Sequence, residues 1–128
     1  MEPLSQELKQ LNEDTFHAEN KDQIGKNQED WEAFLRRVLA DDFRISRASR
    51  MVENKEEMIK QIQGDERMRE GLADVGGGVE GDYGVVTSVV TVQGDPDKYH
   101  HLKLFHRQPS GEWQCVYWRV TRLPVFIR

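Results

Sequence analysis

The segment Leu104–Arg119, LFHRQPSGEWQCVYWR, constrains the fold more than any other part of the chain. Two runs rich in aromatic and aliphatic residues flank Gln108-Pro109-Ser110-Gly111, residue types that close a tight turn, so the segment reads as a β-hairpin. Neither run alternates between apolar and polar, as a strand with one wet face would. If Arg107 and Glu112 flank a four-residue loop, His106 stands opposite Trp113, Phe105 opposite Gln114, Lys103 opposite Val116 and His101 opposite Trp118. One face then carries His101, Lys103, Phe105, Val116, Trp118 and Val120. The other carries His100, Leu102, Leu104, His106, Trp113, Cys115, Tyr117 and Arg119. Both faces are too apolar for water, so the hairpin is expected to be covered on two sides: by the chain's own helices around a hollow, and by a second copy of the chain.

The remaining pattern supplies those helices. Leu4, Leu8, Leu11, Thr15 and Ala18 recur at intervals of four and three, one stripe of a helix that Gly25 would stop. A second helix is expected from an Asn27 cap, with Trp31, Phe34, Leu35 and Val38 on its apolar face. At Asp41–Ala48 the period changes to two, a strand with Phe43 and Ile45 on one side. Asn54 with Glu57 three residues on signals a third, short helix with Gly64 past its end. From about Met68 onward, turns at Glu80-Gly81-Asp82, Gln93–Asp97 and Gln108–Gly111 separate runs of about ten residues, a four-strand antiparallel meander. Its valine-rich member, Tyr83–Val92, places valines on both sides. Helices first and hairpins last is the α+β pattern.

Composition narrows the function classes. The 128 residues suit one domain spanning 1–128, with enough chain for a packed core. No apolar run is long enough to span a bilayer, and the acidic first twenty residues do not resemble a leader, so a cytoplasmic protein without a membrane partner is expected. Residues 1 to 34 carry nine acids against three bases, and residues 97 to 128 two acids against six bases. The asymmetry favours docking within or between copies rather than a nucleic-acid footprint. A lone cysteine, Cys115, reads as packing in a reducing compartment.

The order helix, helix, Ala40-Asp41-Asp42-Phe43 strand, capped short helix, Gly81-Asp82 turn into a valine-rich strand, and closing Gly111-x-Trp113-x-x-Val116 strand resembles the nuclear-transport-factor-2-like, or cystatin-like, superfamily and its SnoaL-like branch. His106-Arg107, Gly111 and Trp113-Gln114-Cys115-Val116 are similar to the closing hairpin of the association domain of calcium/calmodulin-dependent kinase II. The resemblance implies a cone-shaped α+β half-barrel: a strongly curved, mostly antiparallel sheet packed on N-terminal helices around a pocket, pairing as a homodimer through sheet faces. It implies a pocket for a small, partly apolar molecule, with isomerase, cyclase or dehydratase chemistry in some members and pure association in others.

Proton transfer next to a carbonyl needs a base and a donor for the developing oxyanion, and no cofactor. Asp74 and His101 are the candidate bases, Tyr83 and Lys103 the candidate stabilisers, and Trp31, Arg47 and Trp118 the candidate walls. Val75-Gly76-Gly77-Gly78 lacks the Lys-Ser or Lys-Thr of a phosphate loop and reads as a strand bend. Glu13 and His17 are one turn apart but lack a third ligand, so no metal is expected.

Overall fold

The computed structural model describes residues 1–125. A two-residue strand, β1 (Glu2–Pro3), precedes helix α1 (Gln6–Glu19), which is capped by Ser5: its hydroxyl accepts from the Leu8 amide at 3.3 Å. Of the expected stripe α1 buries Leu8, Thr15 and Ala18, and with them the polar Asn12 and Glu19. Helix α2 (Trp31–Val38) starts at Asp30, three residues later than Asn27. The intervening chain is taken up by a turn at Gly25, φ +69°, that brings Ile24 and Glu29 into a β-bridge, and the Asp30 carboxylate then accepts from the Glu32 and Ala33 amides. Strand β2 (Leu39–Ser46) follows without a break and turns into β3 (Val52–Asn54). Helix α3 (Lys55–Gly64) has the expected capping box: Asn54 and Glu57 each accept from the other's amide at 2.9 Å.

Strands β4 (Arg69–Glu80), β5 (Tyr83–Val92), β6 (Lys98–Arg107) and β7 (Trp113–Leu123) form the meander that the turn spacing predicts. The sheet order is β1-β4-β5-β6-β7-β2-β3, and β2 runs parallel to β7 while the other pairs are antiparallel. The result is an open α+β half-barrel with the helices on its inner face. Leu8, Phe34, Leu35, Phe43, Ile45, Met58, Ile59, Ile62, Phe105 and Trp118 are core residues at 1% exposure or less.

The closing hairpin departs from its expected register. Its loop is Gln108–Glu112, so Arg107 pairs with Trp113, and a bulge at Val116 follows: Phe105 faces Cys115 but Leu104 faces Tyr117. The extra residue inverts the phase of β7 half-way along. Trp113 and Cys115, expected on the outer face, are therefore buried on the inner one with Phe105, Lys103, Trp118 and His101. Leu102, Leu104 and Tyr117 remain outside as expected, half-buried among Val85, Thr87 and Val89, and no described element covers them.

Candidate functional site

Inward residues of neighbouring strands stand in rows, because directly paired residues share a face. The outermost row is Val90, Tyr99 and Arg122; next come Ser88, His101 and Val120; then Val86, Lys103 and Trp118; then Gly84, Phe105 and Cys115. Across them lies α1, with Leu8 against Gly84 and Glu19 against Arg69. The two outer rows, the end of α1 and the β2–β3 turn border an open cavity of about 450 Å³. Its lining includes the apolar Val90, Val92 and Val120 and, interspersed with them, Glu19, Arg47, Glu53, Arg67, Arg69, Tyr99, His101 and Arg122.

Most of these charges are held by one another. Arg69 bridges Glu19 at 3.4 Å and Asp65 at 3.3 Å; Arg67 reaches Asp65 at 3.2 Å and Arg122 reaches Asp97 at 3.6 Å. Tyr99 donates to Asp95 at 2.6 Å, and that bond, with burial, raises its pKa. Arg47 differs: its Nε donates to Glu53 at 2.7 Å, but its buried Nη2 has no partner among the described residues.

His101 is 5% exposed and accepts at Nδ1 from the Trp118 indole N–H at 2.9 Å. An indole N–H only donates, so Nδ1 is unprotonated and the neutral ring carries its proton on Nε2. Burial, reinforced by the Lys103 cation, moves its pKa well below the ordinary value and keeps it neutral. His101 thus offers the cavity it lines a donor, where the sequence suggested a base.

Lys103 lies one row deeper. At 1% exposure its ammonium donates to Asn12 Oδ1 at 2.8 Å and Thr15 Oγ1 at 2.7 Å and sits 4.2 Å from the centre of the Trp118 ring. Two of the buried polar residues of α1, Asn12 and Thr15, thus receive it.

Of the seven residues singled out from sequence, Arg47 and His101 line the cavity. Trp118 and Lys103 form the layer beneath it, and Trp31 packs partly buried on the core. Tyr83 is on the outer face, 52% exposed and stacked on His106 at 4.7 Å, because its pairing with His106 puts both on the side away from the helices. Asp74 is exposed at a bulge in β4 with φ +53°, outside the lining. Sequence reading missed Glu19, Glu53, Arg67, Arg69, Tyr99 and Arg122. Tyr99 and Arg122 were within reach, since they continue the period-two rows of His101 and Val120; Glu19 continues the Leu8, Asn12, Thr15 stripe but was masked by its charge.

This arrangement can be set beside known structures. A protein similar to the kinase II association domain, from Exiguobacterium sibiricum, superposes with a TM-score of 0.71 at 14% identity, covering 98% of this chain and 99% of that one. An NTF2-like protein from Cytophaga hutchinsonii superposes with a TM-score of 0.67 at 15% identity, covering 91% and 92%. The fold is the NTF2-like fold. A ketosteroid-isomerase-like protein from Shewanella frigidimarina shares it with a TM-score of 0.63 at 15% identity, covering 89% and 90%. No protein-family model and no curated protein matches the chain by sequence. Among the described residues no cluster of three or more His, Cys, Asp or Glu is arranged to hold a metal, and no helix is long and apolar enough to cross a membrane.

Proposed function

We propose that the chain is a pocket protein that binds a small, partly apolar molecule by an oxygen-acceptor end, a carboxylate being the best match. The observation that carries this reading is the buried Arg47 Nη2, a charged donor without a partner among the described residues, in a cavity where His101 also offers a donor and three valines supply apolar lining. Groups that only donate select for oxygen acceptors and against amines. Binding is favoured over proton abstraction because Glu19 and Glu53, the carboxylates of the lining, are both engaged by arginine, and the basic nitrogen of His101 is taken by Trp118. Calorimetric titration with benzoate, cyclohexanecarboxylate and benzylamine tests it. The carboxylates should bind and the amine should not, and Arg47→Met should weaken the carboxylates by about tenfold or more, the loss of one charge-assisted hydrogen bond. Equal binding of the amine, or an Arg47→Met variant that binds as the parent does, refutes it.

A second feature supports association. The outer sheet face carries half-buried Val85, Val89, Leu102, Leu104 and Tyr117 with no described element over them, and one neighbour in fold resembles an association domain. We infer that this face pairs with a second copy of the chain.

A further inference from the structure

Trp118 is fully buried and lines no part of the cavity, yet its one polar atom is committed to a residue that does. Strand pairing sets this up. Trp118 stands opposite Lys103 and Val120 opposite His101, so the indole lies diagonal to the imidazole on the inner face. Its Nε1–H donates to His101 Nδ1 at 2.9 Å, with the ring centres 5.7 Å apart. The Lys103 ammonium lies 4.2 Å from the centre of the same indole ring and draws electron density toward itself, which makes the N–H a stronger donor. The Nε2–H of His101, a residue of the cavity lining, makes no hydrogen bond among the described residues.

A hydrogen bond received at one imidazole nitrogen and one given at the other reinforce each other. Giving Nε2–H to an anion loads the ring with electron density and makes Nδ1 the better acceptor. Receiving at Nδ1 draws density away and makes Nε2–H the better donor. We propose that Trp118 is a positioning residue for the cavity's ligand: without touching it, the indole orients His101 and strengthens the hydrogen bond that Nε2–H gives to a carboxylate. This role rests on the carboxylate reading of the cavity and extends it into the layer beneath. Lys103, Trp118 and His101 then form one polarised line from a buried cation to the ligand's anion. By linkage, the ligand acts back on the indole as strongly as the indole acts on the ligand.

Nuclear magnetic resonance of the full, isotope-labelled chain reads that back-action directly. Saturating benzoate should move the Trp118 indole N–H proton downfield, although the ring lies outside the cavity lining, and His101→Phe should abolish the movement. Calorimetry supplies the second arm. Replacing Trp118 by benzothienylalanine, which keeps the fused rings and puts sulfur where the N–H was, should weaken benzoate by about threefold or more in the parent and leave it unchanged in the His101→Phe background. Equal losses in both backgrounds would show that Trp118 only packs, and bound benzoate that leaves the indole proton in place would overturn the proposal as well. Should a variant not fold, the indole shift in the parent decides alone. Benzoate that fails to bind the parent at all would refute the carboxylate reading itself, an outcome the titration reveals before any shift is measured.

Discussion

Lys103 is where a residue's chemistry is most altered by its place. Burial lowers its pKa from 10.5 to about 8, with Glu19 opposing the shift. Below that value native and unfolded chains both carry the proton; between about 8 and 10.5 the unfolded chain binds a proton that the native chain has released. Stability from this group therefore rises with pH across that window, by roughly 3 kcal/mol when the whole shift is expressed. Cys115 acts the other way, since burial raises its thiol from 9.0 to about 12 and the unfolded chain loses that proton first. Denaturant unfolding of the parent and of Lys103→Met across the window separates the two: the difference between the curves should isolate the lysine's rise, whereas parallel curves would mean that Lys103 is not desolvated. The same burial predicts that Cys115 resists thiol reagents until the protein unfolds.

At the scale of elements, the bulges in β7 and β4 decide which side chains reach the interior. Gly77 has φ +130°, and a Cβ there would collide with the Val85 carbonyl oxygen of the adjacent strand. Gly111, φ +92°, has nothing near its missing Cβ. Gly77→Ala should thus destabilise by several kcal/mol, while Gly111→Ala should cost about 1 kcal/mol, the backbone penalty alone; thermal unfolding that ranks them equally would contradict the strand pairing. Local patterns made the helices, the capping box at Asn54 and the four-strand meander legible, because each is written in residues a few positions apart. The Val116 bulge was not, for one added residue leaves composition unchanged while turning Trp113 and Cys115 inward. The cavity was half legible for the same reason. His101 lies on a strand and Arg47 directly follows one, so the alternation of each can be counted, whereas the roles of Glu19 and Arg69 arise from their meeting across fifty positions of sequence.

For the whole molecule, the outer face that no described element covers gives a further expectation. A pair formed through it would scatter light as twice the 15.0 kDa chain, and Leu104→Glu should return the single mass with unchanged helical circular dichroism. A pair that survives the substitution would exclude that surface. The parallel contact of β2 with β7, which sets Leu39 beside Cys115 and Ile45 beside Trp118, was invisible in sequence because no local signal links segments so far apart. It also places the last-made long strand inside the sheet, between β6 and β2. On the ribosome, the first half must therefore wait, its β2 edge open, until residues through Arg119 have emerged. Nascent chains halted short of that point would be the ones that chaperones hold.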